Sequence, residues 1–298
     1  MDKIFVSIAS YMDLELTQTV FSALSQSKDP SRLFFSVFSQ DIDSEHPKLE
    51  NLFDMFNVYG FDYKKISYVD AKGVGFARAK AQESLTSEFK YYIQVDSHTQ
   101  FIENWDEKLI KDYIDIENFW KDRIILSSYP GTYVYNESGN IQVSSESTPT
   151  CLRVQPSTNK DIVFEPKYTT YYGDDNGAYH GYFCAGFVFG RSEYFIEVPY
   201  DPHIYFNGEE QTLSIRFFCN DIKIIAPKNN YVYHHYTGTK RSRHWESTPG
   251  WVELDEKSKE RLRMFFAGDS LDGFGIKDYS KYLLWVNCFI TQPEDPLV

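Results

Sequence analysis

The feature that most constrains this chain is an alternation in its first half. Short apolar runs are followed, again and again, by stretches with helical periodicity. Ile4-Phe5-Val6-Ser7-Ile8-Ala9 reads as a buried strand, and Leu16, Val20 and Leu24 mark a helix that Asp13 is placed to cap and that stops near Asp29-Pro30. Leu33 to Phe38 predicts a second strand, Leu49 to Phe56 a helix and Ile66 to Val69 a short third strand. A helix with Ala77, Ala81 and Leu85 on one face follows the glycines at 73 and 75. Tyr91 to Val95 predicts a fourth strand, Asn104 to Tyr113 a helix, and Ile124 to Leu126 another strand. Strands alternating with helices imply βαβ units, hence an α/β fold whose mostly parallel sheet is flanked by helices. In such sheets the ligand sits beyond the carboxyl ends of the strands. Ser7 to Asp13, Gln40-Asp41 and Asp96-Ser97-His98 all fall there.

The stretch from Pro130 to Asp175 is rich in Ser, Thr, Asn, Gly and Tyr and has weak periodicity. It reads as a long excursion or small subdomain over the site, either an ordinary surface insertion or a contributor to acceptor binding. Order resumes at Tyr182 to Gly190, followed by a helix after Asn207-Gly208, a strand at Ile222 to Ile225, and helical signals at Leu254 to Phe265 and Tyr279 to Cys288. The organisation expected is one domain over 1–298: a nucleotide-binding half at 1–128, an acceptor and metal half at 129–250, and a helical extension at 251–298.

Charge narrows the partners. With 43 acidic and 30 basic residues the chain carries a formal −13, a field that repels phosphate backbones and acidic membranes, so nucleic acid is disfavoured. Cys151, Cys184, Cys219 and Cys288 are far apart and form no CxxC pair; four buried thiols in a reducing cytoplasm is the simplest account. There is no secretory signal at the start and no apolar run long enough to span a bilayer. Aromatics reach 17%, which serves core packing or stacking on a sugar ring or base.

Asp96-Ser97-His98 is the sharpest chemical signal. A carboxylate and an imidazole two residues apart, directly after an apolar strand, suit Mn²⁺ or Mg²⁺ better than Ca²⁺; the plain alternative is an Asp capping a turn. His234-His235 is the source expected for a third ligand, and on a strand the two rings face opposite ways. His180, His203 and His244 are lone histidines that read as packing residues. Thr237 to Trp245, the densest basic run, reads as a mobile lid whose Arg241 and Arg243 clamp a diphosphate, or as a solvated loop. Gly73 to Arg78 opens a helix but lacks the spacing of a dinucleotide fingerprint. Glu209 and Glu210 at a helix start serve the macrodipole, or they position substrate.

In their shared order these motifs resemble a known group. The chain looks like a retaining glycosyltransferase of the GT-A fold, similar to the cytoplasmic N-acetylglucosaminyltransferases that modify hydroxyproline and to the polypeptide N-acetylgalactosaminyltransferases. Asp96-Ser97-His98 matches their Asp-x-His metal motif, and Gly75 to Lys80 resembles a Gly-Leu-Ile-Arg-Ala-Arg segment. Ala185-Gly186-Phe187 is a looser match to an Ala-Gly-Gly-type donor segment. Asn207 to Arg216 resembles a Gly-Gly-Glu-Asn helix, with Asn207 and Glu210 as departures. The resemblance implies a UDP-sugar donor with its diphosphate on a cation held by Asp96, His98 and one of His234 and His235. It implies donor contacts from Ser7, Ala9, Tyr11, Asp41, Arg78, Gly186, Arg241, Arg243 and Trp245, with Glu209 and Glu210 orienting sugar or acceptor. A protein or glycan hydroxyl would receive the sugar. Two other readings stay open: transfer to a modified DNA base or surface glycan, and a UDP-sugar-binding module without turnover.

Overall fold

The structure, a computed structural model, describes residues 2–42, 49–144, 149–157, 163–170, 176–237 and 242–290. Its strands are β1 (Ile4–Tyr11), β2 (Leu33–Asp41), β3 (Gly60–Ser67), β4 (Tyr91–Asp96), β5 (Thr99–Phe101), β6 (Arg123–Ser127) and β7 (Gly131–Tyr135). They continue as β8 (Ile141–Val143), β9 (Thr150–Pro156), β10 (Phe164–Thr170), β11 (Ala178–Tyr179), β12 (Phe187–Arg191), β13 (Ile222–Ala226) and β14 (Val232–His234). The helices are α1 (Leu16–Ser25), α2 (Leu49–Met55), α3 (Val74–Gln82), α4 (Trp105–Trp120) and α5 (Ser192–Glu197). They end with α6 (Glu209–Cys219), α7 (His244–Ser247), α8 (Trp251–Ala267) and α9 (Tyr279–Phe289).

The main sheet runs β11-β13-β6-β12-β4-β1-β2-β3. β4, β1, β2 and β3 are parallel neighbours, as are β13 and β6, while β12 runs antiparallel between β4 and β6. The fold is therefore the expected α/β sheet with helices on both faces. On one face the fully buried Leu16, Val20 and Leu24 of α1 pack with Phe53 of α2 and Leu109 and Tyr113 of α4. Burying each such aliphatic side chain contributes about 1.5–3 kcal/mol. On the other face Phe195 of α5 and Leu213 and Phe217 of α6 pack against Phe5, Tyr92 and Val188.

Two expectations need correction. The third strand is Gly60–Ser67, not Ile66 to Val69, and Tyr68–Asp70 is a turn of 3₁₀ helix. This is an edge strand with every residue at least partly exposed, so it lacks the apolar run by which the buried strands are read. The excursion read at 130–175 is built, among the described residues, on four strands. β7 and β8 form a hairpin that joins β5 and β14 in a four-stranded sheet, and β9 pairs with β10. The apolar face of the β9–β10 hairpin (Leu152, Val154, Phe164) is covered by the buried Trp285 of α9. The second expectation to be corrected is the burial of all four thiols: of the four cysteines, Cys184 and Cys219 are buried, Cys151 is half-buried and Cys288 is exposed. Among the described residues no helix is long and apolar enough to cross a membrane.

Candidate active site

Strand register brings the site together. β1 and β4 are aligned Ala9 to Asp96, so Tyr11 and Asp96 emerge on the same edge. β14 runs antiparallel to β5 with His234 opposite Thr99, and the His235 N–H donates to the His98 carbonyl at 3.1 Å. His234 is thereby carried over the Asp96-Ser97-His98 turn. β12 pairs with β4 at Phe187 and Val95, which sets Gly186 beside Asp96. A Cβ at Gly186 would stand 3.3 Å from Asp96 Oδ2, tighter than ordinary packing.

Asp96, His98 and His234 offer donor atoms that all lie within 4.8 Å of one another. His234 Nε2 is 3.1 Å from Asp96 Oδ2, and the His98 and His234 rings meet edge to face at 4.4 Å. Arg78 of α3 is buried and donates to Asp96 Oδ1 at 2.7 Å and to Glu209 Oε1. Burial works against ionised Asp96, but the His234 hydrogen bond and the Arg78 charge outweigh it and hold the carboxyl far below its usual range.

Glu209 and Glu210 open α6, whose start is set by Gly208. That residue has φ 97°, and a Cβ there would meet Leu262 at 2.5 Å, so glycine is required. Burial pushes Glu209 up to about 7, more than Arg78 pulls it down. Its Oε2 is buried and, among the described residues, has no hydrogen-bond partner. Glu210 is saturated instead: Oε1 accepts from Ala185 N–H at 2.8 Å, and Oε2 accepts from Tyr129 at 2.7 Å and Tyr182 at 3.2 Å. Glu210 therefore fixes the loop that carries Gly186.

These groups border a cleft of about 570 Å³. Ala9, Tyr11, Arg78, Gly186, Glu209, Glu210, Arg243 and Trp245 line it together with the three candidate ligands, as the sequence predicts. Three expected residues do not. His235 turns to the opposite side of β14, where Nδ1 meets Glu15 Oε1 at 2.6 Å and its ring stacks on Tyr133, so the structure takes it out of the metal set. Ser7 lies in mid-strand, buried in the sheet. Asp41 points away from the cleft because successive β2 side chains alternate; Gln40 lines it instead. Arg241 lies outside the described residues, as does most of the basic run before Ser242.

The structure adds residues the sequence reading passed over. His244, read as a packing residue, lines the cleft with Phe206, and its ring packs against Tyr205, Phe206 and Trp245 at 4.6–4.8 Å. Burial lowers its pKa to about 4. Its place directly before Trp245 in the basic run was the available signal. Glu165 and Pro166 of the β9–β10 hairpin line it as well.

A family described as "Glycosyltransferase (GlcNAc)" matches residues 3–58 and 53–281. No curated protein matches the chain. Among solved structures it is similar to S. aureus TarS 1-349 in complex with UDP-GlcNAc, at 14% identity over 96% of this chain and 79% of that one, with a TM-score of 0.46. It is also similar to the same TarS fragment alone, at 13% identity over 96% and 78%, with a TM-score of 0.47. The family match runs over nearly the whole length, and on that ground the chain belongs to the GlcNAc glycosyltransferase family and is a glycosyltransferase.

Proposed function

We propose that the chain moves N-acetylglucosamine from UDP-GlcNAc to a hydroxyl group, with retention and with a divalent ion, as a GT-A-type enzyme. The observation that carries the reading is the convergence of Asp96, His98 and His234 on the edge of the cleft at the ends of parallel strands. The family's description supports the sugar. One carboxylate and two imidazoles are a mixed oxygen and nitrogen donor set that fits Mn²⁺ or a similar ion. Bound there, such an ion would neutralise the diphosphate and ease its departure.

The chain's own residues divide the remaining work. Arg78 keeps Asp96 ionised and aimed. Arg243, at the cleft wall, offers a cation to the phosphates, and Tyr11, Phe206, His244 and Trp245 give an aromatic end suited to a flat base. The unpaired Oε2 of Glu209 is an acceptor for a hydroxyl of sugar or substrate. Stabilising charge on the departing UDP, rather than supplying a protein nucleophile, is the work these groups suit, which favours attack on the face that UDP leaves. Glu165 in the cleft lining, with the chain's formal −13, favours a protein or glycan hydroxyl over a polyanion such as DNA.

The test is UDP release from a panel of UDP-sugars, with Mn²⁺ and then with EDTA. Slow hydrolysis of UDP-GlcNAc that EDTA abolishes is expected. UDP binding with no turnover of any donor, even with hydroxyl acceptors supplied, would favour a binding module, and hydrolysis indifferent to EDTA would remove the ion.

A further inference from the structure

We propose that Asp13 is a positioning residue for the divalent ion, holding His98 by Nδ1 so that the other ring nitrogen is presented to the site shared with Asp96 and His234. The inference rests on the metal-assisted reading above. Asp13 is 5% exposed and lies in the turn between β1 and α1. Its Oδ2 stands 2.6 Å from His98 Nδ1 and accepts from Ser97 Oγ, also at 2.6 Å. Its Oδ1 accepts from the Glu15 N–H at 2.9 Å. A carboxylate at Nδ1 fixes the ring's proton there and leaves the lone pair on Nε2. It also makes the imidazole a stronger donor, which is how outer carboxylates serve metal-bound histidines. The turn itself is pinned: Met12 has φ 44°, and its N–H donates to the Gln40 carbonyl at 3.0 Å.

The same turn contains a built-in control. Glu15, two residues on, holds His235 by Nδ1 in the same way and also accepts from the Tyr133 and Tyr135 hydroxyls. His235 stands outside the triad. Two carboxylates of one turn thus hold two adjoining histidines, and only the Asp13 partner is placed to bind an ion.

The competing explanation is that Asp13 only fixes the turn before α1, where it accepts from the Glu15 N–H. Asn and Ser can accept that bond too, but neither puts a carboxylate on His98. Mn²⁺ binding to the full chain, read by the EPR signal of free Mn²⁺, separates the two. Asp13→Asn and Asp13→Ser are each expected to weaken binding about 10- to 100-fold, with melting in EDTA near that of the unaltered chain. In a His98→Ala background, Asp13→Asn should cause no further loss, because the two act through one contact. Glu15→Gln should change the affinity by less than about 3-fold. Losses that add in the double variant, or Asp13→Asn and Asp13→Ser chains that bind Mn²⁺ as the unaltered chain does, overturn the proposal. If Asp13→Asn does not fold, Asp13→Ser decides. No Mn²⁺ bound by the unaltered chain overturns the metal reading itself and this inference with it.

Discussion

Two pairs of identical neighbours meet the cleft, one pair with a single member and the other with both, and they are sorted by different physics. His234-His235 ends a strand, so alternation sends one ring to Asp96 and the other to Glu15 on the far side. Glu209-Glu210 starts a helix, where neighbours are only about 100° apart, and both line the cleft. They differ through their partners. Glu210 is bonded to Ala185, Tyr129 and Tyr182, whereas Glu209 has Arg78 on one oxygen and nothing on the other. Backbone geometry separates the histidines; hydrogen-bond saturation separates the glutamates.

The histidine pair carries the largest expected contrast. His234→Ala removes one of three donors and is expected to cut Mn²⁺-dependent UDP release by about 100-fold or more. His235→Ala should leave release within about 3-fold and lower stability by about 1 kcal/mol through the lost Glu15 contact. Equal losses of turnover in the two variants would break the comparison at its root.

The glutamate pair should differ less in size and more in kind. Removing a charged hydrogen-bond acceptor from a substrate hydroxyl is worth about 1.5–3 kcal/mol, so Glu209→Gln is expected to lower kcat about 10- to 100-fold. Glu210→Gln keeps an oxygen for the Ala185 N–H but sets an NH₂ against two tyrosine hydroxyls. It should lower Tm and raise the donor KM, with kcat falling less than 10-fold. A kcat loss in Glu210→Gln as large as that in Glu209→Gln would show that saturation does not separate the two roles.

Stability against pH sharpens the same pair. Glu209 in the fold sits near 7, above its ordinary 4.5, because it is buried. Between those values the folded state holds a proton on Glu209 that the unfolded chain has released, so the Glu209 contribution to stability falls as pH rises from about 4.5 to about 7. Burial holds His180 and His244 down to about 4, and they act in the opposite sense over much of that window, so the Glu209 part is read by difference. In denaturant unfolding in EDTA, Glu209→Gln should gain stability relative to the unaltered chain as pH rises through the window. A pH dependence unchanged in the variant would assign the effect to other groups, Glu210 first among them, since burial raises it too.

How much of this was legible in the sequence follows from the same distinctions. Buried parallel strands announce themselves as apolar runs, so β1, β2, β4 and the position of Asp96 beyond β4 could be read directly. β3 could not, because an edge strand spends half its positions on polar residues such as Asp62, Lys64 and Lys65. The hairpins after Pro130 were hidden for a related reason: one of them, β8, is exposed throughout. The opposed histidines followed from strand alternation, but choosing between them required the register of β14 on β5. Gln40 over Asp41 is the same problem of face on β2. In the sequence Asp13 reads as the cap of α1, but the N-cap is Glu15; Asp13 accepts from the Glu15 N–H in the turn before the helix, and its second oxygen reaches His98 across 85 residues, a contact no local pattern contains.

The smallest expected effect concerns Gly186, which lies hard against Asp96. Glu210 holds the Ala185 N–H, and the chain then passes so close to the candidate metal carboxylate that a methyl group would sit 3.3 Å from Asp96 Oδ2 and 3.6 Å from Pro130 Cδ. Neither distance is prohibitive, so Gly186→Ala should fold, with Asp96 giving way by a few tenths of an ångström. Asp96 is also tied to Arg78 and His234, and a shift of that size loosens both contacts before it unseats the strand. The expected result is Mn²⁺ affinity weakened about 3- to 10-fold, with stability changed by less than about 1 kcal/mol. The companion change Glu210→Ala removes the acceptor of the Ala185 N–H and frees the loop to retreat from Asp96, so combining the two should recover part of the lost affinity. If the double variant instead binds Mn²⁺ more weakly than either single one, the Glu210 tether is not what presses the loop on Asp96. The glutamate pair would then have to be separated by something other than its hydrogen bonds.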